Sequence, residues 1–481
     1  MKKYSSKNDK ALPVKTRADY KGYVVFFVFV ALLSIMIMKD VILPKPITLS
    51  LALFGFSILF LSALSKPLFP LLVLTAYMPF SNQFVGQFGS QIVGLNLTNI
   101  LMLIVFTAWG IRSLSKREKI FAKNSLNALI IIFSLWGLMT IIRSKFMYGY
   151  SYQTEDYIIL FKRWLTPMCL FFISFNMVKN REDFKKVLFV ILLVTLVIAV
   201  MAVRDYIHYG DRGSMEESRI GGVFGQPNTL GAFFVYNMFF FLAFFLYYWR
   251  SFRYWLMLIP FLVCFRGIMV TFSRGAYMAA AFGGYMATFF KSKILFLVAT
   301  VILILMLANP IFLPQGIRER MASTFGGNKV VSTDVADITD VSAGDRILIW
   351  RGAIEMIKAQ PIFGFGYGTF RYIIGSFAPN VAGFDPHNTY LMLAAEMGIP
   401  ALILFLLILI ILIKNGRWLL RHSKDKYFRA FALGMLGGLF GLLVVNIFGS
   451  RLNSEEVSSY FWLLSGLLMR AVAMRRQKQI A

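Results

Sequence analysis

The sequence predicts an all-α polytopic membrane protein. It has about 14 transmembrane helices and one long outer loop that contains an amphipathic surface helix. Three observations carry this reading. Of 481 residues, 58% are hydrophobic and only 15% charged, whereas a soluble chain carries about 25% charged residues. Apolar runs long enough to cross a roughly 30 Å hydrocarbon core as helices recur along the whole length. The basic residues, finally, collect in alternate loops.

The first apolar run begins near Tyr23, behind a polar, basic stretch. It is too long for a signal peptide and lacks a small-residue cleavage signal, so it is expected to remain as the first span. Helices are expected near 22–39, 45–65, 67–80, 96–114, 124–142, 155–178, 186–204, 229–249, 254–272, 275–290, 294–309, 388–413, 430–449 and 457–474. The third is short and proline-flanked. Pro227 and Asn228 open the eighth, Ser273 is placed to cap the tenth, and Asn388 or Thr389 the twelfth. Cys169 and Cys264 fall inside spans and read as small apolar filler.

Fourteen spans return the C terminus to the starting side, and the loops can then be sorted. One side, with its helix ends, carries 31 of the 50 Lys and Arg against 6 acids. That leaves 19 basic residues against 17 acids elsewhere. The positive-inside rule puts the basic side, and both ends, in the cytoplasm. The net charge of +27 follows from this topology and from attraction to anionic lipid, so nucleic acid is not needed. The segments 205–228, 273–275, 310–387 and 450–456 then face outward.

The expected organisation is one integrated unit in three parts: a transmembrane bundle over 1–309, an outer loop over 310–387 and C-terminal spans over 388–481. Within the loop, "RILIWRGAIEMIKAQP" (346–361) places Ile347, Trp350, Ile354 and Ile357 at helical spacing. This predicts an amphipathic helix lying on the outer membrane surface. "PIFGFGYGTF" (361–370) predicts a Gly-rich turn.

Several chemistries fail on the residues. His208, His387 and His422 are scattered, and the outer segments hold no H-E-x-x-H motif and no carboxylate cluster. A G-x-S-x-G turn is missing, and "GFGYG" lacks the strand–turn–helix setting of a nucleotide fingerprint. Among Asp345, Asp385 and Glu396 nothing selects a glycosidase pair.

What remains outside is one histidine and several arginines. Arg274 follows Ser273 at a junction of two spans, Arg346 starts the surface helix, and Arg219 precedes the helix opened by Pro227. Arg266 lies eight residues before Arg274, about 12 Å along a helix, and is a candidate intramembrane arginine. A single arginine at a membrane face is commonly an interfacial anchor. Several near helix N-termini suit a phosphate or pyrophosphate, because free N–H groups, the helix dipole and the guanidinium fork all favour it. His387 in "DPHNTY" (385–390) reads either as part of a helix cap or as a general base. The positive helix end and nearby arginines disfavour imidazolium, and a base needs the neutral ring.

The motifs "FSRGA" (272–276), "DRILIWRGA" (345–353), "PIFGFGYGTF" (361–370) and "PHNTYLMLAAEMGIPAL" (386–402) occur in that order, preceded by "GGVFGQPNTLGAF" (221–233). With the long loop between them, they resemble the O-antigen ligase/polymerase family of bacterial cell-surface polysaccharide assembly. The resemblance covers about 180 residues of the chain. It implies an integral membrane glycosyltransferase of the inner (cytoplasmic) membrane, with an undecaprenyl-pyrophosphate-linked oligosaccharide donor, an acceptor glycan and an inverting reaction without metal or other cofactor. His387 would then be the general base, with Arg274 and Arg346 stabilising the departing pyrophosphate. Arg219, Arg266 and Arg351 are expected in substrate binding, with Asp345, Glu396 and Asn388 in supporting roles. Gly364, Gly366 and Gly368 are expected to form a turn, or else to let backbone approach the glycan. A polymerase of lipid-linked repeat units, with a chain-length regulator as a partner, is the first expectation. A ligase that moves a finished glycan to a lipid or protein is the second, and a lipid-linked glycan flippase is the rival of another class.

Overall fold

The computed structural model describes residues 57–63, 65–83, 97–115, 117–149, 154–210, 217–308 and 343–477. The expected first span, most of the second, residue 309 and residues 310–342 of the outer loop lie outside the described residues. Every regular element among the described residues is helical. In chain order these are α1 (Leu68–Tyr77), α2 (Leu97–Ser115), α3 (Asn127–Tyr148), α4 (Thr154–Met177), α5 (Arg181–Tyr209), α6 (Pro227–Tyr248), α7 (Leu258–Met269), α8 (Arg274–Lys291), α9 (Lys293–Ala308), α10 (Ala343–Ala359), α11 (Thr389–His422), α12 (Lys426–Val445) and α13 (Glu455–Arg476), with short helical turns between them.

Among the described residues, 9 segments are long and apolar enough to cross a membrane: α2, α3, most of α4, α5, α6, Phe252–Met269, α11, α12 and α13. The chain is a multi-pass membrane protein. The apolar segments Leu68–Ser81 and Lys293–Leu305 are shorter. The expected span at 275–290 appears as α8, with glycines, tyrosines and a cation at each end diluting its apolarity. Ile294, Leu297 and Ile304 of α9 are 74%, 65% and 59% exposed, as lipid-facing side chains are. Cys169 and Cys264 are free.

The centre is α6, α12 and α13. They bury 83%, 78% and 94% of their apolar windows, and α12 packs along both α6 and α8. Small residues make that approach possible. A Cβ at Gly434 would lie 2.6 Å from the Phe240 ring, and one at Gly438 would collide with the Tyr236 carbonyl oxygen.

The charged loops collect at one end of the bundle. Lys179 pairs with Glu118 at 2.7 Å and Arg181 with Asp425 at 2.8 Å. Arg470 donates to the Lys179 carbonyl, and Arg475 to that of His422. The segments around 219, 273, 387 and 450 meet at the opposite helix ends.

α11 runs to His422, nine residues past the expected end at 413, because the basic residues of 414–422 leave the membrane without ending the helix. It is also broken. Gly398 has φ +81° and ψ 169°, and Pro400 lacks an N–H. The carbonyls of Ala395 and Glu396 therefore lose their helical donors. The Gly-rich turn replaces them: Phe365 N–H donates to Ala395 O at 2.9 Å, and Gly366 N–H to Glu396 O at 2.7 Å. Ile399 N–H donates in return to Pro361 O at 2.8 Å. Gly364 and Gly366 have φ +62° and +109°, and a Cβ on either would strike Glu396 or Ser144. Their role here is close approach to α11 and α3.

α10 carries a second apolar stripe besides the expected one. Ile347 and Ile354 are 52% and 44% exposed. The buried stripe is Ile349, Ala353 and Met356, packed with Phe370, Ile374, Val381 and Ala395. One face of α10 is thus covered by protein, with Trp350 and Ile357 at its margin.

Candidate active site

An open cleft of about 340 Å³ lies where the start of α8, the first turn of α10 and the end of α12 meet. Its lining includes Arg219, Asn228, Ser273, Arg274, Arg346 and Arg451. Four guanidinium groups in one cleft form an anion cradle of high charge density.

Each arginine is held by local structure. Arg219 Nε donates to the Thr271 carbonyl at 3.1 Å, and its Nη2 donates to Asn228 Oδ1 at 3.0 Å. Those bonds tie the start of α6 to the turn after α7. Arg274 is the first residue of α8, whose cap is Ser273: its Oγ accepts from Ala276 N–H at 3.4 Å. The end of α12 comes close because residue 275 is glycine; a Cβ there would lie 2.9 Å from Phe448 Cβ. Arg451 sits on the helical turn Arg451–Asn453 and is 8% exposed. Its guanidinium covers Gly449, where a Cβ would strike it.

His387 precedes α11 with φ +45°, an uncommon value for a non-glycine residue. Its N–H donates to Asp385 Oδ2 at 3.0 Å, and its Nδ1 lies 3.9 Å from the same oxygen. Ser450 Oγ also donates to Asp385 Oδ2, at 3.2 Å. Trp350 Nε1 holds the Pro386 carbonyl at 3.2 Å. The cap of α11 is Asn388, whose Oδ1 accepts from Tyr390 and Leu391 N–H at 2.9 and 3.1 Å. Burial pushes the imidazole down from the usual 6.5 to about 4; Asp385 opposes the fall, and Arg346, Arg451 and Arg371 add to it. The ring is neutral at pH 7, as a proton acceptor must be.

The structure brings Arg219, Arg274 and Arg346 together, with the imidazole in the field of Arg346. Arg266 lies outside the cleft lining, exposed, with its guanidinium 5.1 Å from the Tyr206 ring centroid. Arg351 is exposed on α10 and is likewise not part of the lining. Asp345 lies in the first turn of α10 beside Arg346. Glu396 is 5% exposed, and its Oε1 accepts from Phe370 N–H at 3.1 Å, so it braces the Gly-rich turn. The carboxylate beside His387 is Asp385.

Sequence reasoning missed Arg451 and the bond from Ser450 to Asp385. A signal was present: "GSRLN" (449–453) sits between two spans on the expected outer side and repeats the Ser-Arg pair at 273–274.

Residues 259–406 match the family model described as O-antigen ligase. That stretch contains Arg274, Arg346 and His387; Arg219 and Arg451 flank it. Over 138 residues the chain is 28% identical to a protein of Rickettsia felis and 25% identical to one of Rickettsia conorii, both bearing the name "Putative polysaccharide ligase". Each match covers 27% of this chain and 31% of the relative, so the chain spans about a third of the length of the curated relatives it matches. Over that stretch, which lies on a helical membrane bundle, the chain is similar to the O-antigen ligase family.

Proposed function

We propose that this protein transfers a glycan from an undecaprenyl diphosphate carrier to a hydroxyl acceptor at the outer face of the bacterial cytoplasmic membrane. The observation that carries the proposal is the cleft of four arginines, two of which, Arg346 and Arg451, act on a neutral, half-buried imidazole. His387 takes the proton of the acceptor hydroxyl. The freed oxygen pair attacks the anomeric carbon and inverts it. The bond from that carbon to the diphosphate oxygen breaks, and its electron pair leaves with the diphosphate. Arg219, Arg274, Arg346 and Arg451 offset the charge that grows there, which is where fixed donors lower a barrier most. The excess of basic residues at the opposite end of the bundle supports an outward-facing site.

The acceptor separates two forms of the reaction. If it is another lipid-linked repeat unit, the protein is a polymerase, and a chain-length regulator has a place beside it. If it is a different lipid or a protein, the protein is a ligase. The names of the Rickettsia relatives favour the ligase form. A flippase is disfavoured, since the arginines gather at one end of the bundle and not around a midplane cavity. The test is purified protein in lipid with a synthetic undecaprenyl-diphosphate oligosaccharide. A ladder of products supports the polymerase, and a single addition to an added acceptor supports the ligase. If neither product forms while His387→Ala and wild type behave alike, the transfer reading is lost.

A further inference from the structure

At the basic end of the bundle, far from the arginine cleft, three helices converge on one ring. Tyr247 lies in the last turn of α6, Lys291 ends α8, and Lys426 and Arg429 open α12. Lys291 Nζ stands 3.4 Å from the centroid of the Tyr247 ring, and the Arg429 guanidinium 5.2 Å from the same centroid. A ring quadrupole attracts each cation but cancels the charge of neither.

Other cations at this end are matched by acids: Lys179 by Glu118, Lys185 by Glu182 and Arg181 by Asp425. Among the described residues, no carboxylate pairs with Lys291, Lys426 or Arg429. The acid nearest in sequence, Asp425, is committed elsewhere. Its Oδ2 accepts from Arg181 at 2.8 Å, and its Oδ1 accepts from Tyr427 N–H at 2.8 Å. Burial, Arg429 and Lys426 push the Lys291 amine down from the usual 10.5 to about 8. The cations therefore act chiefly on one another. From them inward, α8 and α12 share an aromatic face. The Phe440 ring lies 5.7 Å from that of Phe290 and 6.1 Å from that of Phe282. Phe282 and Phe289 are 40% and 50% exposed. Cations at a membrane boundary that continue into an exposed apolar face suit a charged head with hydrocarbon tails, and a free phosphate gains nothing from the second part.

We propose that the junction of Tyr247, Lys291 and Arg429 holds the phosphate of an anionic phospholipid in the leaflet at this end, with its acyl chains along Phe282, Phe290 and Phe440. The proposal is independent of the transfer reading. The phosphate supplies the counter-charge, and Arg429 offers a planar fork to two of its oxygens. It also joins the ends of α8 and α12, which otherwise repel. Those two helices reach the arginine cleft at their opposite ends, through Arg274 and Val445. The bound lipid steadies the frame of that cleft from the far side.

The test titrates the full-length protein in neutral detergent with phosphatidylglycerol and follows bound lipid by native mass spectrometry. Lys291→Gln combined with Arg429→Gln is expected to weaken the tightest lipid by about tenfold or more, the scale of two basic residues at a membrane surface. Lys119→Gln combined with Lys123→Gln removes the same charge from the exposed loop between α2 and α3. That pair should leave the lipid within about threefold, as screened charge does. Equal loss from the two pairs, or phosphatidylcholine bound as tightly, overturns the proposal. Displacement by inorganic phosphate gives the site to a free anion, and displacement by an oligoglutamate peptide below the lipid concentration gives it to a protein; either overturns the proposal too. The unaltered protein provides a second reading should the variants fold poorly. In phosphatidylcholine nanodiscs near pH 8, acylation of Lys291 is measured relative to Lys119 and Lys123. Added phosphatidylglycerol is expected to lower that ratio by about threefold or more, because a phosphate restores the proton of the amine. A ratio that phosphatidylglycerol leaves unchanged overturns the proposal.

Discussion

Asp385 holds His387 by its backbone: the His387 N–H donates to Asp385 Oδ2 at 3.0 Å, and the imidazole Nδ1 stands 3.9 Å from that same oxygen. The carboxylate fixes the unusual φ of +45° and also biases the ring towards its charged form. Burial and three arginines outweigh that bias and bring the imidazole to about 4. Because the folded value lies below the ordinary 6.5, the base is active above it and is lost as pH falls through it. The acid limb of kcat/KM is therefore expected well below pH 6.5. Asp385→Asn removes the one influence that raises the value, so the limb should move to lower pH while kcat falls. A limb that moves upward, or stays fixed at 6.5, would contradict this assignment.

Arg451 is expected to matter as much as Arg274 and Arg346. Removing one donor aimed at developing charge costs about 10²–10³-fold in rate. Arg451→Ala should reach that range in single-turnover transfer, with the thermal midpoint close to wild type. Arg451→Lys should recover only part of the loss, since an ammonium lacks the planar fork. Arg266→Ala and Arg351→Ala serve as controls, because neither lines the cleft, and both should stay within about threefold of wild type, the scale of the ordinary scatter of surface changes.

Transfer is expected to persist in EDTA. The positive charge needed opposite a departing diphosphate is supplied in the cleft by four guanidinium groups. Pyrophosphate should inhibit competitively against the donor, and salt should weaken that inhibition by screening. Initial rates with and without chelator, at matched ionic strength, check this directly.

Gly366→Ala tests the brace beneath the site. The residue has φ +109°, and a Cβ would strike Ser144 Oγ. Its N–H also covers the Glu396 carbonyl exposed by Pro400. Strain together with an uncovered buried carbonyl should cost at least about 2 kcal/mol. A lower midpoint by thermal scanning in detergent is expected, with activity lost in parallel.

The long elements were legible because apolar runs of membrane length have few alternatives. The cap of α11 could be narrowed to the right two residues because Asn388 and Thr389 stand where the pattern changes. The protein-covered stripe of α10 could not. Hydropathy picks the large residues Ile347 and Ile354, but the buried stripe is built where small ones let the neighbours in: Gly352 lies under Ile374, and Ala353 is fully covered. Gly398 and Pro400 break a helix that was expected to run unbroken over 388–413, and the segment that satisfies the broken carbonyls lies some thirty residues earlier. Arg451 had a Ser-Arg pair to mark it, but only the folded end of α12 carries it into the cleft.

Asn446 is the residue that performs this last placement, and it offers the sharpest structural test. Its Oδ1 accepts from Thr389 Oγ1 at 2.6 Å and from Leu452 N–H at 3.2 Å, and its carbonyl accepts from Thr389 N–H at 2.9 Å. One buried amide thus joins the start of α11, just after His387, to the turn that presents Arg451. Asn446→Ala leaves the Leu452 N–H without that acceptor, at about 1–3 kcal/mol for a buried group, and leaves the Thr389 hydroxyl only the Gly449 carbonyl at 3.3 Å. Spread over a bundle this size, the loss should lower the midpoint by only a few degrees. Transfer should fall much further, because base and cradle no longer share an anchor and small misplacements cost rate steeply. Thr389→Val removes only the hydroxyl and should show the same ordering in milder form. If Asn446→Ala instead lowers activity and stability in proportion, the amide is merely structural and does not set the geometry between His387 and Arg451.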